Sequence, residues 1–506
     1  MRKSIIICLI LAVIMTLSTT VTSSVITTNY ADFDPLVDTS VTVKIKTIRF
    51  LEDEGLDVSS KKVPLALTRS LPNFFIRKLL NKNTYNALSS DEIPDFFVKV
   101  SINDEKFTSN VWEDTKFVYD ISWSATLNVD DEQEFVDIKI QLMDSFDGQN
   151  TDGVPYDISP DSGNTAEGYD AEIVYSIKTG RWTGDDELND PSGYRRLCGC
   201  DDGTLYTKDL DCELWFDITQ NDYDNDGIPY WTEVNDYGTN PEVKNSGDPD
   251  NDKIPVEWEW KWDYDPFKTD NHESLDPDGD SINNYEEYLT SEWFSDPYRK
   301  DVFIELDIMG DGPNGEISYF PQNSKELIKS SFARQNIGMH IDYNNMGGTD
   351  ILPFQADVGS PELRQIYNDY FLHGDNDNWR RGVFHYGLVV YTSQSAAGYM
   401  FRSNAFQVSS RGHEKLAQEK GIDRDIVYGS AYMHELGHTF AFWPIPGHNQ
   451  NSVYPWQSGY WINRPYQSCM NYGWMYQFVD YSDGTHGGVD IDDWERINYK
   501  SFEREW

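Results

Sequence analysis

The stretch YMHELGHTFAFWPIPGHN, Tyr432 to Asn449, decides how the C-terminal part of this chain is read. His434 and His438 stand four residues apart. On a helix such positions share a face, so two imidazole nitrogens reach one ion. Glu435 follows the first histidine and is placed to serve as general base on a water that zinc acidifies. Only nine histidines occur in 506 residues, so this clustering argues against a surface helix with two unrelated ones. A catalytic zinc needs a third protein ligand. Two sources are open: the chain turns at PIPG and delivers His448, ten residues after His438, or a distant carboxylate serves.

Downstream, QSCMNYGW runs from Gln467 to Trp474, with Met470 32 residues after His438 and Tyr472 two further on. Together the two stretches resemble the metzincin zinc peptidases, with their H-E-x-x-H helix and Met-turn. The resemblance covers about residues 300–506 and implies an α+β peptidase domain with one catalytic zinc on His434 and His438. It implies Glu435 as base and proton shuttle, Met470 packed under the metal, and Tyr472 near the zinc or the oxyanion. In that family the third ligand closes H-E-x-x-H-x-x-G-x-x-H. Here Ala441 stands at the glycine and Pro444 at the last histidine. Within the resemblance His448 takes the third place and His486 is the reserve. His413 is expected on the surface, and His340 and His385 at strand positions.

The surrounding pattern is α+β. Strands are expected at Asp301 to Met309, in GMHIDYN and in GVFHYGLVVYT, with an edge strand over about 402–410 that pairs an extended substrate. NSKELIKSSFARQN reads as a helix capped by Asn323 or Ser324. Near the end, Asp490, Asp492 and Asp493 read as the cap of a terminal helix more simply than as a calcium site.

Ahead of this domain stand three acidic segments: Asp222 to Glu233, Asp248 to Glu259 and Asp276 to Glu287. Each carries Asp at positions 1, 3 and 5, Ile at 7 and Glu at 12. These are Asp222, Asp224, Asp226, Ile228 and Glu233; Asp248, Asp250, Asp252, Ile254 and Glu259; and Asp276, Asp278, Asp280, Ile282 and Glu287. Calcium takes six to eight oxygens. A turning loop brings alternate carboxylates and the position-7 carbonyl onto one ion, and the last glutamate closes the shell. Gly227 fills position 6 of the first loop. Lys253 and Ser281 replace it in the others, where the sharp turn is less easily made. The tandem resembles thrombospondin type 3 calcium repeats, which implies a stiff, calcium-dependent spacer.

Residues 25–180 read as an antiparallel β-sandwich, from alternating runs such as VTVKIKTIRF, DFFVKVSI and EFVDIKIQLMD. ALTRSLPNFFIRKLL, Ala66 to Leu80, is one candidate helix, and acidic turns such as MDSFDGQNTDG line the rim. Residues 181–217 form a cysteine-containing connector. Cys198, Cys200, Cys212 and Cys469 allow three pairings, and a local disulfide closing on Cys212 is preferred to a thiolate zinc site.

The chain opens with Arg2 and Lys3, an apolar run from Ile5 to Leu17 and small polar residues, so residues 1–24 read as a secretory signal. No later segment is apolar enough to span a membrane. The formal net charge of −45 opposes nucleic acid and anionic membranes as partners. The expectation is a secreted or cell-surface multidomain protein: sandwich, calcium repeats at 218–300, and a zinc endopeptidase at 301–506 acting on proteins or peptides. The sandwich contacts a surface or ligand. The competing expectation is an exported calcium-dependent scaffold whose peptidase-like domain is inactive.

Overall fold

The computed structural model describes residues 33–51, 93–146, 148–161, 168–186, 194–203, 210–245, 247–394 and 396–500. The signal segment and the Ala66 to Leu80 helix lie outside these residues. Among the described residues no helix is long and apolar enough to cross a membrane. The chain is multidomain in character, with several β-sheets and a smaller set of helices.

Two antiparallel sheets form the N-terminal region. One holds β1 (Ser40–Phe50), β4 (Phe117–Val118), β5 (Ser124–Asn128), β10 (Arg196–Cys198) and β11 (Cys212–Gln220). The other holds β2 (Phe96–Ile102), β3 (Glu105–Thr108), β6 (Phe135–Ser145), β7 (Gly153–Tyr156), β8 (Ala171–Ser176) and β9 (Arg181–Gly184). Val41, Val43 and Ile45 point inward on β1 at the two-residue period, and then Ile48 and Phe50 do. The switch from odd to even positions is a bulge between Ile45 and Thr47, which re-aims the strand and keeps its apolar set inside. Both sheets share one core.

Three expectations change here. The connector at 181–217 is sheet: β9, β10 and β11 complete the sandwich, and β11 is the long antiparallel partner of β1. No disulfide joins the four cysteines, which are buried. Cys198 and Cys200 sit with Leu51 and Ala333 at the seam with the C-terminal domain, whereas Cys469 lies in that domain's own core. The repeats are also not a spacer holding two bodies apart. Ile254, Trp258 and Trp262 of the second repeat enter the sandwich core, and Arg181 donates to the Trp260 and Lys261 carbonyls. The sandwich touches the C-terminal domain directly: Arg49 pairs with Glu213 at 3.2 Å and Glu326 at 3.0 Å, and Arg196 donates to the Ala333 carbonyl at 2.7 Å.

In the repeat region, short helices α1 (Val256–Lys261) and α2 (Asn284–Thr290) follow the second and third loops. The C-terminal sheet runs β13 (Gly338–Asp342), β12 (Asp301–Met309), β15 (Phe384–Val390), β17 (Ala405–Ser409), β16 (Gly398–Arg402), and β14 (Ile351–Leu352) also pairs with β12. All pairings are parallel except β16 with β17. Both faces of β12 are covered, so even its acidic residues Asp301, Glu305 and Asp307 are buried. Helices α3 (Gln322–Ala333), α5 (Ser410–Lys420) and α6 (Arg424–Thr439) follow β12 and β17, with α4 (Ser360–Ile366) between them in the chain; α3 and α6 share one core with the sheet. Pro321, not Asn323 or Ser324, is the N-cap of α3.

Candidate metal centres

Helix α6 begins at the Asp423 cap, whose side chain accepts from the Asp425 N–H at 2.7 Å, and ends at Thr439. His434 and His438 share one face, with ring centroids 4.9 Å apart. After the helix the chain reverses at Ala441, which takes a left-handed φ of +62°. That is the position where the metzincin motif carries glycine, the residue that adopts such a φ without steric cost. A second left-handed residue, Gly447 at +77°, then brings in His448. Its Nε2 lies 3.2 Å from His434 Nε2, and the nitrogens of His434, His438 and His448 lie within 4.8 Å of one another.

The histidine triplet is fixed from beneath. His434 Nδ1–H donates to the Cys469 carbonyl at 2.9 Å, which turns the Nε2 lone pair toward the other two rings. Met470 fits against Gly437, where a Cβ would stand 2.5 Å from its sulfur. The Tyr472 N–H reaches the Gly447 carbonyl at 3.4 Å, tying the Met470 turn to the His448 loop, and its ring lies 4.4 Å from His448 and 5.7 Å from His434. Burial holds the imidazoles neutral, with the pKa of His434 pushed down to about 3, that of His438 to about 2, and that of His448 lowered as well. Neutral imidazole is the ligand form. Burial also pushes the Glu435 carboxyl up to about 8, and it raises the Tyr472 phenol with help from the Glu435 charge.

The expected edge strand is displaced. Residues 405–409 lie inside the sheet, and the antiparallel edge is β16, whose Gly398 stands where a Cβ would meet Glu435 Oε1 at 2.5 Å. Sequence reasoning also missed Trp443, which stacks on His438 at 5.1 Å and 14° and is about half exposed. His413 is buried rather than on the surface; its Nδ1–H donates to the Ser409 carbonyl at 2.8 Å and its pKa falls to about 4 through burial. His340 stacks on Phe303 and His385 meets Thr439, both buried. His486 sits with Asp483 and Asp490, apart from the three histidines. The expected terminal helix is one short turn, Trp494–Arg496, and Asp493 accepts the Tyr466 hydroxyl.

The three acidic loops fold alike. Position 1 accepts backbone N–H groups from its own loop: Asp222 from Asp226 and Gly227, Asp248 from Asp252 and Lys253, and Asp276 from Ser281. Position 5 accepts from position 7 each time. Gly227, Lys253 and Ser281 all have left-handed φ, of +89°, +86° and +76°, so the two substitutions do not prevent the turn. Ile228, Ile254 and Ile282 are buried beneath. The aspartates of the first and second loops form close triplets. Buried carboxylate oxygens of Asp224, Asp250, Asp278, Glu259 and Glu287 have no hydrogen-bond partner. Burial, reinforced by neighbouring aspartates, pushes Glu233 and Glu259 up to about 7 and Asp278 up to about 10. Uncompensated buried carboxylates of this kind fit a hard cation with oxygen ligands.

No family model matches the sequence, and no curated protein matches it. Among solved structures, a C2 domain-containing protein from an elicitor-responsive gene is 13% identical over 35% of this chain and 85% of its own, with a TM-score of 0.15. Human GIVD cytosolic phospholipase A2, complexed with methyl gamma-linolenyl fluorophosphonate and terbium chloride, is 11% identical over 36% of this chain and 17% of its own, with a TM-score of 0.16. Similarity this slight says nothing of the chain's activity.

Proposed function

We propose that this chain is an exported zinc-dependent endopeptidase, braced by calcium, that cleaves peptide bonds in proteins. The observation that carries the proposal is the convergence of His434, His438 and His448 nitrogens beside the buried Glu435 and the antiparallel edge strand β16. His448 supplies the third ligand that the departure at Pro444 left open. A zinc ion on these nitrogens contributes Lewis acidity, polarising a carbonyl and lowering the pKa of water.

The chain's own residues divide the remaining work. Strand β16 offers its edge to an extended peptide, which then lies across Glu435. Glu435 takes a proton from the attacking water and returns it to the leaving amine. The Tyr472 phenol donates toward the developing oxyanion. Cys469 and Met470 hold the His434 ring and the helix in place. The acidic loops carry calcium and stiffen the sandwich against the C-terminal domain, and the sandwich serves surface or ligand contact.

The test pairs metal content with cleavage of an unfolded protein. The purified chain in calcium should cleave it. Glu435→Ala should keep the zinc and lose about 10²–10⁴-fold in rate, and His434→Ala should lose one zinc equivalent. Zinc bound without any cleavage would favour the exported scaffold with an inactive domain. Equal zinc content in the chain and in His434→Ala would end the proposal.

A further inference from the structure

We propose that Asp252, Glu259 and His272 form a separate site for a transition divalent cation of the zinc class. It goes beyond the calcium reading of the second loop and does not depend on the catalytic centre. His272 Nε2 lies 3.2 Å from Asp252 Oδ2 and 3.5 Å from Glu259 Oε1, and the three ligand atoms lie within 4.8 Å of one another. All three side chains are almost wholly buried. Yet neither His272 Nε2 nor either Glu259 oxygen has a hydrogen-bond partner. The nitrogen lies within reach of both carboxylates, so the three atoms are grouped closely enough to share one ion.

The other repeats lack this feature at the corresponding place. In the first, the Asn245 amide donates to Glu233 at 2.6 Å. In the third, the Ser295 hydroxyl donates to Glu287. Each of those glutamates is satisfied on one oxygen by a neutral donor. Only the second repeat supplies a ring nitrogen, and only there are both glutamate oxygens unpartnered.

The imidazole is held as a ligand is held. Its ring meets Trp258, at 5.9 Å, and Tyr264, at 5.0 Å, edge-to-face, and those two rings stack on each other. Its Nδ1 lies 3.1 Å from the Asn284 amide nitrogen, while the Asn284 amide oxygen is unpartnered. A half-turn of that amide lets its oxygen accept from Nδ1–H, the tautomer that frees Nε2 for a metal. Calcium takes oxygen ligands, whereas one imidazole with two carboxylates suits zinc and its neighbours. Asp248 and Asp250 remain an all-oxygen group with Asp252, which joins the two.

The experiment uses the full chain with His434→Ala and His438→Ala, which removes the catalytic centre whatever its role. In saturating calcium this chain should still bind about one zinc, and Co²⁺ in its place should give visible bands of nitrogen ligation. Adding His272→Asn, which copies the first repeat, or Glu259→Gln should weaken zinc binding at least about tenfold, the loss that even outer-shell changes cause. In the chain with its catalytic histidines intact, the same substitutions should remove one zinc equivalent. No zinc in the double variant, displacement of the zinc by excess calcium, or unchanged binding after both substitutions would each overturn the proposal.

Discussion

The histidine centre and the acidic loops are built in opposite ways. In each loop the position-1 aspartate draws its hydrogen bonds from that loop's own backbone, as Asp222 does from Asp226 and Gly227. The histidine centre is assembled from afar: two histidines on one helix, a third on the loop after it, and a tyrosine and a supporting carbonyl from the Met470 turn. The electrostatics differ as well. The loops bury like charges that repel one another, while the centre buries neutral rings packed against Trp443, Tyr472 and Met470. The proposed calcium would therefore hold the loops together, whereas the proposed zinc would meet a centre already organised by packing.

Calcium removal should give the largest effect. A ligand at 100 times its dissociation constant contributes about 2.7 kcal/mol per site, and three loops are involved. The pH dependence has a definite sign. Glu233 has a folded-state value raised from 4.5 to about 7 by burial and by neighbouring aspartates. The folded chain then holds protons more tightly than the unfolded chain. In chelator, stability should be highest below the unfolded value and fall as pH rises from about 4.5 to about 7. Calcium replaces those protons, so the slope should flatten when it is added. Melting curves across this range, with and without chelator, test the contrast; equal slopes would mean that the loops are acidic turns and nothing more.

Next comes the assembly of the centre. His448→Ala should cost more than the 10–100-fold that outer-shell changes cost in metal affinity, with cleavage falling in step. The measurement is zinc dissociation followed with a chromophoric chelator. Unchanged affinity would return the third-ligand role to a distant carboxylate.

How much of this was legible in the sequence follows the same division. The loops repeat a local pattern, so their geometry was readable down to the residue; only the ability of Lys253 and Ser281 to adopt a left-handed turn was underestimated. The two helical histidines were readable because helix periodicity is local. Arrival of His448 depends on two chain reversals, at Ala441 and Gly447, which no periodicity encodes. The edge strand was misplaced because β17 alternates as a half-exposed strand would, though neighbours bury it on both sides, while Gly398–Arg402 is short and half-buried throughout. Strands β9 and β10 are three or four residues long, too short for alternation to register, so the end of the sandwich read as a connector. His413 looked like a surface position because the group that satisfies it is a backbone carbonyl, Ser409, which no side-chain pattern announces.

A smaller effect is expected where the His448 loop meets the Met470 turn. Gly447 has a left-handed φ, and a Cβ there would collide with the Asn471 amide oxygen. Gly447→Ala should cost about 1–3 kcal/mol of stability and loosen zinc binding, while leaving the calcium-dependent part of the melting curve in place. Equal loss of calcium response and zinc affinity would mean that the two regions unfold together, contrary to their separate construction.

The smallest effect concerns the departure from the metzincin motif. Ala441 has a φ of +62°, a conformation that costs an L-residue about 1–2 kcal/mol. Glycine adopts it freely but loses about 0.5–1 kcal/mol more in conformational entropy on folding. The difference favours Ala441→Gly by at most about 1.5 kcal/mol, which in a domain of this size is about 3–6 °C in melting temperature. Zinc affinity should stay the same, because the strain lies in the reversal and not in the ligand atoms. A melting temperature that falls on this substitution would show that the Ala441 methyl makes a contact worth more than the strain it imposes. The loop would then be held in place by packing, and glycine would be one of two workable ways to turn the chain toward His448.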